Sequence, residues 1–269
     1  MRKFFPFPYI VCFFIFLVFP VISAYASSKY IKVGAYGRIS KPGVYVFKKG
    51  SRLSDLLFKI YPLPHDAYIK NAFLYRKRLK KDNKVELRSI IREILHFKGL
   101  SRKLKNKIKN HLSGLKAIGR VIVHLKNPVL LMNTKLDIRL KNGDKLFIPT
   151  KSSYDYVYVE GAVKKQGKFK YRAEKPISYY IGRADGIASN SVSGYYYLIK
   201  ANGAIKKISA SFIIWNKIKK RWEFSIFKKP EKVEPGDIIF FPFNYGKITN
   251  KLTPLILAVY ERTGRLINY

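Results

Sequence analysis

The strongest constraint on this chain is that it repeats itself. The stretch from Gly37 to Gly43 lines up with the stretch from Gly161 to Gly167 at a spacing of 124 residues. The same spacing pairs Tyr45 with Phe169, Phe47 with Tyr171, Leu53 with Ile177 and Leu57 with Ile181, and carries Leu74, Tyr75 and Arg76 onto Leu198, Ile199 and Lys200. Both copies close alike, in Gly143-Asp144 running to Pro149 and Gly236-Asp237 running to Pro242. That closing match has a spacing of only 93, so the first copy carries 31 extra residues between Arg76 and Gly143. The fold must therefore build one unit twice and accommodate an insertion in the first.

Each unit reads as strand, tight turn, strand, helix and further strands. Val33 and Ala35, and Val157 and Val159, alternate with polar or small neighbours as half-buried strands do. Pro42-Gly43 and Gln166-Gly167 mark hairpin turns. Tyr45 with Phe47, and Phe169 with Tyr171, give return strands of period two. Ser54 to Ile60 and Ser178 to Ala184 are predicted helices, the first with Leu53, Leu56 and Leu57 on one face. The Gly-Asp pairs mark turns into a last strand that ends at proline.

The insertion has a helical period. Leu87, Ile90, Ile91, Ile94 and Leu95 line one face of a helix. Gly99 breaks it, and Ser101 starts a second helix with Leu104, Ile108, Leu112 and Leu115 as its apolar positions. The two make a helical hairpin over about 85–117, whose apolar faces are expected to pack on each other. After Pro242, Thr253 and Pro254 predict the start of a short amphipathic helix with Leu255, Ile256, Val259 and Tyr260 on its apolar side, ended by Gly264. Such a helix can dock on its own domain, enter a partner or lie at a membrane surface.

The N-terminus has a different character. Arg2 and Lys3 precede an apolar run from Tyr9 to Phe19 and then Ala24-Tyr25-Ala26, the pattern of a secretory leader cleaved after Ala26. Its rival is an uncleaved membrane anchor, which Pro6, Pro8 and Pro20 disfavour. The single cysteine, Cys12, lies inside the apolar run without the small residues that precede a lipidated cysteine. Cleavage would leave no cysteine for disulfides or thiol chemistry.

Charge matters once export is expected. The chain has 54 Lys and Arg against 16 Asp and Glu, a net charge of +38, and remains at +36 without the leader. Export excludes most nucleic acid, so the expected anions are acidic polysaccharide, lipid head groups or lipopolysaccharide phosphates. Solvated faces of a lysine-rich chain are the plainer account. The charge is nonetheless concentrated: Arg76 to Lys109 holds 14 Lys and Arg against three acids, with Arg102, Lys103, Lys105, Lys107 and Lys109 forming a basic patch on the second hairpin helix.

The ordered set of motifs resembles tandem SLBB-type β-grasp domains of bacterial polysaccharide export proteins, and most of all the GfcC family of capsule biosynthesis proteins. The resemblance spans nearly all of the chain after the leader. It implies an α+β fold with a leader at 1–26, a first β-grasp domain at 27–152 carrying the hairpin, a second at 153–245, and a C-terminal amphipathic helix and tail at 246–269. It also implies that the arginine of Gly119-Arg120-Val121 lines a pocket and binds ligand, a role that suits the rigid fork of a guanidinium. The alternative for Arg120 is a structural pairing with a nearby acid. Gln166 stands where the family has proline, and the Gly182 to Gly186 turn matches its glycine-rich turn only loosely.

The residues do not assemble a catalytic set. His65, His96, His111 and His124 are scattered, and no phosphate loop is present. Tyr195, Tyr196 and Tyr197 suit a packed strand or a sugar-stacking surface. No catalytic residue, metal or cofactor is expected. The expected function is that of a periplasmic accessory protein of capsule or exopolysaccharide production, with acidic polysaccharide or an outer-membrane polysaccharide export protein as partner, no nucleic acid, and peripheral membrane contact through the C-terminal helix as an option. A polymer-trimming enzyme, acting through an acid such as Asp185 or Glu160, and a subunit of the export channel are the alternatives.

Overall fold

The computed structural model describes residues 29–209, 213–216, 220–224 and 232–264. The expected leader at 1–26 lies outside the described residues, as do the side chains of Lys107 and of the apolar positions Leu104, Ile108 and Leu112.

The protein is α+β, with two five-stranded mixed sheets of the same strand order. The first copy of the repeat supplies β1 (Tyr30–Gly37), β2 (Gly43–Lys48), helix α1 (Leu53–Ile60), β3 (Phe73–Tyr75), helices α2 (Lys77–His96) and α3 (Arg102–Ser113), β4 (Arg120–Ile122), a one-turn α4 (Pro128–Leu131) and β5 (Lys145–Ile148). Its sheet runs β2-β1-β5-β3-β4, with β1 and β5 parallel at the centre and the other pairs antiparallel. The second copy supplies β6 (Tyr156–Gly161), β7 (Gly167–Lys170), α5 (Ile177–Arg183), β8 (Tyr195–Ile199), β9 (Ile205–Ser209), β10 (Ile213–Asn216), β11 (Arg221–Phe224) and β12 (Ile238–Phe241). Its sheet runs β7-β6-β12-β8-β9, again with the first and last strands parallel. The β10–β11 hairpin has no counterpart in the first copy and was not foreseen in the sequence.

Alternation puts one side of each five-stranded sheet into a core. Val33, Ala35, Leu74 and Leu146 pack against α1, and Val157, Val159, Leu198 and Ile239 pack against α5. Both Gly-Asp turns are pinned through a buried aspartate paired with a cation at the end of β3 or β8. Asp144, fully buried, accepts two hydrogen bonds from the Arg76 guanidinium (3.0 and 2.8 Å) and one from the Lys141 amide. Asp237, also buried, accepts from Lys200 Nζ (2.6 Å) and from the Glu234 amide. Arg76 and Lys200 are partners in the repeat, so the ion pair is repeated with the fold.

The helices depart from expectation in what they touch. The first insertion helix starts at Lys77, ahead of the expected 85, because Leu79 and the buried Asn83 extend its inner face through a lysine-rich stretch. Its apolar stripe does not close on its hairpin partner alone. Leu87 and Ile94 pack with Leu100 onto Leu252, Ile256 and Val259 of the C-terminal helix and onto Ile199 and Phe240 of the second sheet. That C-terminal helix, α6, runs Thr249–Thr263, so Pro254 lies inside it and Thr253 is a buried interior residue rather than its cap. A helix interior proline gives up one backbone hydrogen bond; burial of Leu252 and Ile256 on either side offsets that loss. Gly264 ends α6 in the left-handed conformation, φ 70°, as expected. Because the apolar side of α6 is buried, it offers a membrane no apolar face while docked. Among the described residues no helix is long and apolar enough to cross a membrane.

Candidate functional site

Arg120 begins β4, directly after Gly119, and the local backbone explains its aim. Gly119 has φ 66°, and a Cβ there would fall 2.5 Å from the Lys80 amide and 2.7 Å from the Arg76 carbonyl oxygen. The returning chain can therefore press against the first turn of α2 only with glycine at this position. The Arg76 amide donates to the Gly119 carbonyl (2.9 Å), and the Ile118 amide donates to the Arg262 carbonyl at the end of α6 (2.9 Å).

Held this way, Arg120 reaches out of the first unit into the second. Its guanidinium lies 5.6 Å from the centre of the Tyr260 ring on α6, a cation–π contact. It also fills the space above Gly203 in the β8–β9 turn, where a Cβ would stand 2.3 Å from Nη2. Nη2 is buried and has no hydrogen-bond partner. Burial raises the phenols of Tyr154 and Tyr260 above the ordinary tyrosine value, and the charge of Arg120 partly opposes both shifts. No carboxylate of the described residues pairs with Arg120, so the expected alternative of a structural ion pair has no partner there.

A cleft of about 390 Å³ adjoins this guanidinium, with Asn83, Glu86, Glu261 and Arg262 in its wall. Arg262 is occupied: it donates to Glu86 at 2.8 Å and lies 3.5 Å from Glu261. Two cations and two carboxylates leave the cleft near balance. Its one unmet feature is the buried Arg120 donor, which can take an oxygen of a carboxylate, phosphate or hydroxyl.

The basic patch is elsewhere. Arg102, Lys103 and Lys109 are exposed and Lys105 is half-buried on α3, and none of them lines the Arg120 cleft. Neither α2 nor α3 carries an acid in its first turn. Cations such as Lys77 and Arg102 thus stand where the helix dipole is unfavourable to them. The structure separates the two sequence-predicted features into a half-buried guanidinium and a solvated cationic helix.

A second cavity, about 590 Å³, lies at the seam between the units, assembled from segments far apart in the sequence. Tyr61, Leu63 and Tyr68 face Tyr171 and Pro235 across it. Lys70 pairs with Glu234 across the seam, while Lys151 donates to the His65 carbonyl (2.7 Å) within the first unit. Burial acts to raise the Glu234 carboxyl, but Lys70 and Lys200 outweigh it and hold the group below its ordinary value. Tyr68 donates to the Pro235 carbonyl across the same seam at 3.2 Å.

Of the remaining expected positions, Tyr196 is fully buried under Phe241, while Tyr195 and Tyr197 are half-buried on the opposite side of β8. Among the described residues no three His, Cys, Asp or Glu gather as a metal site. Comparison with protein-family models and with curated proteins returned no match.

Proposed function

We propose that this protein is a non-catalytic accessory protein of capsule or exopolysaccharide production, working in the periplasm after removal of residues 1–26. Its two sheets are read as β-grasp domains of the SLBB type. The observation that carries the proposal is the pair of identical strand orders, each with a central parallel pair and one helix across a face. The helix pair between β3 and β4 and the closing helix α6 support this reading.

The chemistry suits an anionic partner. α3 presents cations with no acid among them, and Arg120 holds one unmet donor. In this reading an acidic polysaccharide is drawn to the cationic surface, or an outer-membrane export protein docks there, and Arg120 fixes one oxygen. Contact through many lysines makes the attraction sensitive to ionic strength. The deciding experiment is to delete the gene and measure polysaccharide on the surface and within the cell. Loss of surface polymer, with or without retention inside, is the expected result. Unchanged polymer in both fractions would overturn the proposal.

A further inference from the structure

The outer face of the first sheet carries rows that only strand register brings together. Ile122, Phe73, Phe147 and Tyr36 stand side by side across β4, β3, β5 and β1. One step along the strands, Arg120, Tyr75, Lys145 and Gly34 form a second row. The Phe73 and Phe147 rings are stacked at 5.3 Å, and Tyr75 meets Phe73 edge-on at 4.9 Å. A Cβ on Gly34 would fall 2.4 Å from Cε2 of Tyr36, so that ring folds back over β1 instead of standing away from the sheet. Val44 and Val46 extend the apolar surface along β2, 59% and 60% exposed.

No outward position of these five strands holds an acid, while Lys32, Lys48 and Lys145 are exposed among the rings. A second copy of the chain would place these lysines against their own equivalents, on a protein of net charge +38. An anionic occupant meets no such repulsion. The row crosses four strands, about 14 Å, with Lys145 about 7 Å and Lys32 about 14 Å from it along the strands. That spacing fits a linear chain of flat rings bearing regularly placed negative groups.

We propose that this face binds a segment of acidic polysaccharide, with sugar rings stacked along Phe73, Phe147 and Tyr36 beside Ile122 and carboxylates directed to Lys145 and Lys32. The proposal rests on the polysaccharide reading above and adds the place of binding.

The test uses the processed protein titrated with alginate as the acidic polymer. Dextran is the neutral control, and poly(U) and phosphatidylglycerol vesicles are rival anions. The unaltered protein should bind alginate, ignore dextran and weaken with added salt. Phe73→Ala with Phe147→Ala should lower affinity about tenfold or more. Lys32→Gln with Lys145→Gln, which disturbs no core contact, should lower affinity and reduce its salt dependence. Phe58→Ala with Lys59→Gln, on the exposed side of α1 beyond the opposite face of the sheet, should change nothing. If the unaltered protein binds no alginate, both the polymer reading and this proposal fall. If it binds and both face variants bind as well as it does, this proposal alone is overturned. Preference for poly(U) or vesicles, lost in the same variants, would assign the face to another partner and overturn the proposal as stated.

Discussion

The two sheets are built to one plan and finished differently. Phe240 and Phe147 hold the same place in the repeat, yet Phe240 is 2% exposed beneath α2 and α6 while Phe147 is 36% exposed. The second sheet has helices on both faces. The first has α1 on one face, and on the other, among the described residues, α6 reaches only the β4 edge, where Tyr260 meets Arg120. A repeated fold thus keeps its buried grammar, meaning the strand order and the Gly-Asp ion pair, and lets the outer faces diverge. Evidence that a face is a surface for something else is sharpest when its twin shows how such a face looks when it is closed.

The largest test of this difference is truncation of the twin rings. Phe240→Ala should cost about 3–5 kcal/mol, as removal of a buried aromatic does, whereas Phe147→Ala should cost under about 1 kcal/mol. Denaturant midpoints measure both, and equal losses would mean that the first face is covered after all.

The repeated ion pair comes next. Arg76→Met strands a buried Asp144 carboxylate and should cost about 3 kcal/mol in the same measurement. Lys200→Met should cost less, because burial already raises the Asp237 carboxyl, which can take up a proton when its partner is lost. A larger loss for Lys200→Met would break the ranking.

That difference has a pH signature. Burial pushes the Asp237 carboxyl up to about 6 from its ordinary 3.8, with Lys200 opposing the shift. A carboxyl whose folded value is raised binds its proton more tightly in the folded protein. Its contribution to stability is therefore complete at low pH and is lost as pH rises between those two values. Unfolding free energy should decline across that interval, by at most about 1.4 kcal/mol per pH unit for one proton, and Asp237→Asn should remove this decline. An unchanged slope in the variant would assign it to another group.

The smallest expected effect is on the open face. Val46→Lys copies Lys170, its counterpart in the second sheet, and should shift stability by less than about 0.5 kcal/mol. A loss of several kcal/mol would reveal a hidden partner for β2.

Much of this was legible because glycine and alternation are local signals. Gly43, Gly167, Gly143 and Gly236 each have positive φ, and the turns between strands could be placed from them. The helix at Leu53–Ile60 followed from its spacing. What spacing cannot reveal is the partner of an apolar stripe. Leu87 and Ile94 announced a buried face without saying that Phe240 and Ile256 would cover it. Arg120 was singled out, but its seat over Gly203 and Tyr260 depends on a turn and a helix far along the chain. The aromatic row was invisible for the same reason: Tyr36, Phe73, Ile122 and Phe147 become neighbours only through pairing register. The start of α6 was misplaced because proline is commonest in a first turn, and here the helix simply tolerates it.

The path of α2 also sets the order in which this molecule can be completed. Its stripe leaves the ribosome ahead of the sheet it roofs, which follows about a hundred residues later. Until then Leu87 and Ile94 wait without their cover, an attractive grip for a holdase chaperone. A cut between the two repeats would leave one fragment with a roof and no house, and the other with a house and half a roof.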